Sequence, residues 1–465
     1  MQDKYKIIPL LTPSLFAFTV SQGKWKFAPH LRLIEQKLIG ALQGKNRHLI
    51  FTMPPRHGKS EFISKYFPLW YLLTHPEKRV ILASYQVSLS EFWSRKIREL
   101  IQKFGLLFGV KLNPGNRKAG SFSFINHEGG LNAVGVGGAL TGKGADLLII
   151  DDPIKNDAEA NSSVYREKIW DWFNATAFTR LEPDGICIIV MTRWHEDDLV
   201  GRLIAANSHP NGINWELVNL PALAQGNDPL ERKLNEPLWK ARFSLMDLLR
   251  IKESIGTYWF SALYQQSPVP AGNSIFNRKD FRYFEDKGNH YELFTSPLNS
   301  KRILKSEISI FATSDLALSL KETADYTIVL IFGKLQSGEI LILDIIRERF
   351  ESTEHLKLFA SICAKWMPKL IGIENVQFQQ SLIQQAVKIG LPIKQLKADK
   401  DKISRALPIA AMLENGMIYF RKDAGYLEEF EKELLQFPRS KHDDQVDAFA
   451  YIFQLLNKSS GLLPV

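Results

Sequence analysis

The apolar residues of this chain gather into short continuous runs, most of them ended by glycine, hydroxyl or acidic residues, with helix-period stretches between. Leu49-Ile-Phe-Thr-Met53, Arg79-Val-Ile-Leu-Ala-Ser84, Leu147-Leu-Ile-Ile150 and Gly185-Ile-Cys-Ile-Ile-Val-Met-Thr192 are apolar without alternation. Such runs predict strands buried on both faces, as in a parallel sheet covered by helices. Leu31, Ile34, Leu38 and Leu42 recur at spacings of three and four and predict a helix within 24–45, where Trp25, Phe27 and His30 are expected to pack. A second helix is expected from about Val87 to Phe104, and Trp215 to Leu220 as a further strand. Alternation of the two element types predicts an α/β domain. The glycine-rich passage Gly129–Gly144 has no repeat period and is expected to be a mobile loop beside the sheet.

After an aromatic stretch at Tyr258–Tyr264, the residues Gln265-Gln-Ser-Pro-Val-Pro-Ala-Gly-Asn-Ser274 have linker composition. They divide the chain into expected domains at 1–266 and 276–465, joined by 267–275. In the second domain Ile308–Thr313, Tyr326–Phe332, Ile340–Ile346 and Leu370–Glu374 are strand-like, and helices are expected near 377–389, 402–415, 424–436 and at the C-terminal end.

Composition fits this picture. At 465 residues the chain is too long for one ordinary core. Lysine and arginine number 59 against 50 acids, a formal net charge of +9 that suits a polyanionic partner. Of the two cysteines, Cys187 lies inside an apolar run, and no Cys/His spacing suggests zinc. Such usage fits a reducing compartment. No apolar run approaches the ~20 residues that span a bilayer. The stretch Ile7–Val20 follows Lys4 and Lys6 but is broken by prolines and hydroxyl residues, so it is not expected to direct export.

The run ending at Met53 leads into Pro54-Pro55-Arg56-His57-Gly58-Lys59-Ser60 and then into a helix-compatible apolar stretch. Strand, tight loop with Gly-Lys-Ser, then helix is the context of a phosphate-binding loop. Backbone N–H groups would face the phosphates of ATP, Lys59 would add a compact cation, and Ser60 a hydroxyl for Mg²⁺. Met53 stands where the usual loop has its first glycine, and the paired prolines supply stiffness instead. Asp151 and Asp152 end the strand at 147–150, the arrangement of a Walker B strand: Asp151 is the candidate for holding Mg²⁺, and Asp152 for orienting or deprotonating the attacking water. Thr192 and Arg193, at the end of the next strand, are candidates for sensing the γ-phosphate.

The second half carries a different set. Asp315 and Glu374 end strand-like runs, and Asp443, Asp444 and Asp447 open the last helix. Carboxylates from neighbouring strands and a nearby helix can gather two Mg²⁺ or Mn²⁺ ions, one activating water and the other stabilising the leaving 3′-oxygen of a phosphodiester. Hard divalent ions favour oxygen ligands. Within the cluster Asp444 is the expected ligand, Asp443 a helix cap paired with Ser440, and Asp447 an outer residue, while Asp325 and His442 have weaker claims.

In this order and spacing the motifs Pro54–Ser60, Asp151–Lys155, Thr192–Asp198, Tyr264-Gln-Gln-Ser-Pro268, Ile373-Glu374 and His442–Asp447 resemble the large terminase subunit of tailed bacteriophages, from about Trp25 to Phe453. The resemblance implies an N-terminal ASCE-type P-loop ATPase with a mostly parallel sheet and a C-terminal RNase H-like nuclease. It implies ATP-driven movement of double-stranded viral DNA into a procapsid and cutting of concatemeric DNA. Its implied partners are the portal protein, a small terminase subunit and further copies of the chain, in the host cytoplasm, with no place in the membrane or the mature virion. Lys59 falls on the family's Walker A lysine, Arg56 on its loop arginine, Asp151 and Asp152 on its Walker B acids and Thr192 on its coupling motif. Asp315, Glu374 and the pair Asp443–Asp444 fall on its nuclease triad, with Asp315, Glu374 and Asp444 as the catalytic acids. Lys143 lies where a basic finger would serve, although a lysine lacks the guanidinium fork. Two other readings share part of the plan, a helicase–nuclease of repair or defence and an inactive DNA-binding remnant. A lone phosphate-loop core argues against the first, and the intact acids against the second.

Overall fold

In a computed structural model of the chain, described for residues 12–115, 118, 120–140, 142–207, 213–268, 274–296, 299–316, 326–351, 354–374, 380–397, 401–439 and 443–456, the apolar runs form the centres of two separate sheets. The chain divides into two units, one of residues 1–252 and 259–270, the other of residues 253–258 and 271–465. Residues Asp325, Ser440 and His442 and the linker stretch 269–273 lie outside the described residues.

The first unit is built on β1 (His48–Thr52), β2 (Arg79–Ser84), β3 (Ser121–Ser123), β4 (Gly130–Gly135), β5 (Ala145–Asp151), β6 (Leu181–Met191) and β7 (Glu216–Asn219). Their order across the seven-stranded sheet is β3-β4-β2-β5-β6-β1-β7, and only the β3–β4 pair is antiparallel. The sheet buries apolar side chains on both faces, which is why its central strands carry no polar alternation. One face packs Leu49, Phe51, Leu82 and Ile149 with the helix Pro29–Leu42 and the segment Phe62–Leu73; the other packs Ile50, Ile150 and Ile189 with Trp172 and Phe173. The helices Pro29–Leu42 and Val87–Phe104 stand where periodicity places them.

The glycine-rich passage is not simply a loop. Its first part is β4, paired along its length with β2. The glycines are there for close approach: a Cβ on Gly129 would lie 2.1 Å from the carbonyl oxygen of Pro76, and one on Gly130 2.2 Å from that of Phe122. Glycine that reads as loop chemistry serves here as a strand pressed between neighbouring backbones.

The second unit holds β8 (Arg282–Asp286), β9 (His290–Ser296), β10 (Asn299–Leu304), β11 (Ser309–Asp315), β12 (Thr327–Lys334), β13 (Ile340–Glu348), β14 (Ile371–Glu374), β15 (Ile393–Leu396) and β16 (Ile418–Arg421). They form one nine-stranded sheet in the order β10-β9-β8-β16-β13-β12-β11-β14-β15. The meander β11–β12–β13 is antiparallel, and β14 and β15 then add parallel to β11. That is the RNase H-like order expected from the resemblance. The helix Asp444–Leu456 lies against β11, where the Thr313 hydroxyl donates to the carbonyl of Ala448 at 2.7 Å. Among the described residues no helix is long and apolar enough to cross a membrane.

Candidate functional site

In the first unit β1, β5 and β6 run parallel, so the loop after Thr52, Asp151–Asp152 and Thr192 leave the sheet at the same edge. The phosphate-loop candidate is held from beneath. The His57 ring is buried, donates from Nδ1 to the Pro55 carbonyl (2.9 Å), and stacks on Phe243 at 4.9 Å between ring centres. His30 Nε2 reaches the His57 carbonyl at 2.9 Å. Of the three residues expected to pack, His30 thus grips the loop, whereas Trp25 stacks on Phe62 and Phe27 pairs with Phe18. Burial pushes both imidazoles down to about 4, so they are neutral at physiological pH. Met53, Pro54 and Lys59 are buried, Pro55, Gly58 and Ser60 half-buried, and Arg56 exposed. Gly58 has φ 89° and Arg56 φ 64°, both left-handed. Glycine adopts that conformation freely; the arginine is held in it at a cost of about 1–3 kcal/mol.

The loop feeds the helical segment Lys59–Glu61, a wide π-type turn at Phe62–Tyr66 and the helix Phe67–Thr74. The turn absorbs Pro68, which has no donor for the Ser64 carbonyl. It also places Ser64, whose hydroxyl donates to Asp151 Oδ2 at 2.7 Å, while Ser60 donates to Oδ1 at 2.9 Å. Asp151 is fully buried, and burial followed by the neighbouring charge of Asp152 raises its carboxyl above the ordinary range, against the pull of Lys59 and both serines. Lys59 Nζ lies 2.8 Å from Asp152 Oδ2 and 3.0 Å from Thr192 Oγ1. Asp152 has φ 45°, and its Oδ1 accepts the backbone N–H of Thr192 at 2.9 Å. The predicted residues thus form two adjoining sets of contacts, Ser60 with Asp151 and Lys59 with Asp152 and Thr192. Lys143 is exposed and donates to Asn132 Oδ1 at 2.8 Å.

Two further contributors join these contacts. Ser64 carried no legible signal. Gln266 lies in the motif Tyr264–Pro268 but had no assigned role; its Oε1 accepts the backbone N–H of Arg193 at 3.0 Å, while the Arg193 guanidinium forms a buried pair with Asp198 at 2.7 Å. Gln265 bonds both the N–H and the carbonyl of Leu223, at 2.9 and 3.1 Å. The motif Tyr264-Gln-Gln-Ser-Pro268 is therefore fastened to the strand end that carries Thr192.

In the second unit the parallel register Ser314–Ile373 sets Asp315 beside Glu374 at adjoining strand ends. Asp444 and Asp447 come from the first turn of the last helix, whose N-terminal N–H groups are capped by Glu433: Oε1 accepts from Gln445 and Val446 at 2.8 and 3.0 Å. Burial pushes Glu433 up to about 7. Burial, then the charges of Asp447, Glu374 and Asp444, holds the Asp315 carboxyl well above its ordinary range. Asp444 Oδ2 accepts the backbone N–H of Tyr326 at 3.1 Å. Asp447, expected at the margin, lies inside: its carboxylate meets Arg405 at 2.7 Å and Lys402 at 3.2 Å. Asp443 reaches the cluster through Lys402, at 2.6 Å. The all-oxygen donor set and the crowding of acids suit hard divalent ions in kind. Among the described residues, however, no three acids, histidines or cysteines form a ready cage, and Arg405 and Lys402 stand among the carboxylates.

Comparisons with known proteins find two family models along the chain. Residues 50–282 match the family model for the terminase large subunit, T4likevirus-type, N-terminal, and residues 312–456 that for the terminase RNaseH-like domain. The large terminase subunit of Enterobacteria phage T3 is 29% identical over 246 residues, 48% of this chain and 42% of the relative, so the match spans less than half of that protein. A solved large terminase from a thermophilic bacteriophage shares the fold over 90% of this chain and 98% of its own, with a TM-score of 0.50 and 12% identity. With the N-terminal and the RNase H-like models matching in turn along it, the chain belongs to the terminase large subunit family.

Proposed function

We propose that this chain is the motor and nuclease of viral genome packaging: it hydrolyses ATP to drive double-stranded DNA into a procapsid and cuts concatemeric DNA. The observation that carries the reading is the pairing, in one chain, of the Lys59–Asp152–Thr192 network with a second acidic site where Asp315 adjoins Glu374.

In the first unit the loop N–H groups and Lys59 would receive the β- and γ-phosphates. Ser60 and Asp151 would hold Mg²⁺, which when bound neutralises developing phosphate charge. With a nucleotide present, Lys59 would turn from Asp152 toward the phosphate, freeing that carboxylate to orient the attacking water. The same shift breaks the Lys59–Thr192 contact, so nucleotide state reaches the Thr192 strand end and, through Arg193, Gln266. Arg56, exposed on the loop, is placed to meet phosphate oxygens from its own subunit or a neighbour's. Lys143 is the basic candidate for the finger.

In the second unit Asp315, Glu374 and Asp444, with Asp443 and Asp447, would hold a pair of Mg²⁺ or Mn²⁺ ions, which when bound supply an activated water and stabilise the leaving oxygen. Basic surface would grip DNA phosphates without reading sequence. Portal protein, small terminase subunit and further copies of the chain are the proposed partners, met in the host cytoplasm on the procapsid.

The test combines purified chain with portal-bearing procapsids, DNA and ATP, and measures DNA protected from added nuclease. Protection that requires ATP is expected. Hydrolysis of ATP with strand displacement and no protection would instead support a helicase–nuclease.

A further inference from the structure

The helix Lys402–Glu414 begins at Asp401, which accepts from the Ser404 N–H at 3.0 Å and from its hydroxyl at 2.6 Å. This cap fixes the first turn, and with it the direction of Lys402 and Arg405, three residues apart and so on one face. Both enter the acidic cluster. The Arg405 fork spans the gap between the two strand-end and helix acids, with one nitrogen 3.2 Å from Glu374 Oε1 and the other 2.7 Å from Asp447 Oδ1. It also donates to the Tyr451 hydroxyl, which in turn donates to Glu374 Oε1 at 2.5 Å. Lys402 Nζ bridges Asp443 at 2.6 Å and Asp447 at 3.2 Å. Like charges this close cannot all stay ionised without cations among them. The two side chains together carry the charge of one divalent ion.

The fit is also incomplete. Arg405 Nε is buried without a hydrogen-bond partner among the described residues, and an unmade bond of this kind is costly. Lys402 keeps a route outward, its side chain being 51% exposed. A guanidinium with an unmet donor and an ammonium facing solvent are suited to leaving.

We propose that Arg405 and Lys402 are positioning residues that stand in for divalent cation: they hold Glu374, Asp443 and Asp447 in place in the ion-free chain and give way as the ion enters. The inference rests on the metal-nuclease reading of this site. It makes ion loading an exchange of cations rather than the filling of a gap. Apparent ion affinity is then lowered by the population of the stand-in state.

The test uses the full chain without nucleotide and measures Mn²⁺ binding by electron paramagnetic resonance, with Glu374→Gln as the blank, alongside melting temperature with and without Mn²⁺. Arg405→Met and Lys402→Met should melt lower than wild type without ions, recover that loss in Mn²⁺, and bind Mn²⁺ about tenfold more tightly if the stand-in state dominates by that factor. Arg405→Lys, which keeps the charge but not the fork, should fall between wild type and Arg405→Met in both measurements. Unchanged or weaker Mn²⁺ binding in both Met variants, or a melting loss that Mn²⁺ does not recover, overturns the proposal. Should Arg405→Met fail to fold, Lys402→Met decides by the same criteria. If wild type binds no more Mn²⁺ than Glu374→Gln, the metal-nuclease reading itself fails, an outcome distinct from equal binding by wild type and the Met variants.

Discussion

The two acidic sites of this chain balance their charge in opposite ways. In the first unit each acid is answered locally: Asp151 by the hydroxyls of Ser60 and Ser64, and Asp152 by Lys59 and the Thr192 N–H. One lysine suffices, and it sits where an arriving phosphate would claim it. In the second unit Asp315 has three other acids around it, and the compensating cations come from another helix, Lys402–Glu414. On the proposed reading the first site receives an anion. The second is over-supplied with carboxylates and, on the proposed reading, awaits a cation. On that reading the same residue type at the same kind of strand end serves different chemistry according to what surrounds it.

The contrast can be broken most sharply by neutralising one acid in each unit. Asp151→Asn should lower ATP hydrolysis by roughly 10²–10³-fold, the scale for losing a charge-stabilising group, and leave metal-dependent DNA cleavage unchanged. Asp447→Asn should do the reverse, with a similar loss of plasmid nicking and normal ATP hydrolysis. Normal nicking by Asp447→Asn would return Asp447 to the margin of the site.

A smaller effect tests the buried groups that support each site. His30 and His57 are pushed down to about 4 from an ordinary 6.5, so the unfolded chain protonates first as pH falls. Their contribution destabilises the first unit between about pH 6.5 and 4, by on the order of 3 kcal/mol each. Glu433 is raised to about 7 from 4.5, so the unfolded chain ionises first as pH rises, and stability of the second unit is lost between about 4.5 and 7 by a similar amount. Denaturation across pH should therefore show His57→Gln gaining on wild type as pH falls through the first window, and Glu433→Gln gaining as pH rises through the second. Parallel profiles for wild type and both variants would contradict the assigned burial.

The smallest expected effect is that of Ser64→Ala. Leaving Asp151 Oδ2 without its donor should cost about 1–3 kcal/mol of stability, read by chemical denaturation, with DNA cleavage unaffected.

Much of this was legible in the amino-acid sequence, for a physical reason. Central strands of a covered sheet must be apolar on both faces, so their polar ends stand out, and Asp151, Thr192, Asp315 and Glu374 are all such ends. The three strands at one end of the second sheet lack that signature. β8, β9 and β10 mix Arg282, His290, Lys301 and Arg302 with few apolar residues, and none of the expected strands covers them. β4 was hidden by glycines that close packing requires. Ser64, Gln266, Arg405 and Lys402 act only through partners distant in the chain, from Ser64 to Asp151 and from Arg405 to Glu374, and no local spacing announces such contacts. The helix at 402–414 was expected from its periodicity; which acids its first turn meets was not.

The central claim is that one chain holds a phosphate-directed site and a metal-directed site that work by separate groups. It is tested most directly by a crossed measurement of ATP hydrolysis and Mn²⁺-dependent plasmid cleavage on Lys59→Ala and Glu374→Gln. The account predicts that Lys59→Ala loses hydrolysis and keeps cleavage, and that Glu374→Gln loses cleavage and keeps hydrolysis. Loss of both activities in each folded variant, or of neither, would contradict it.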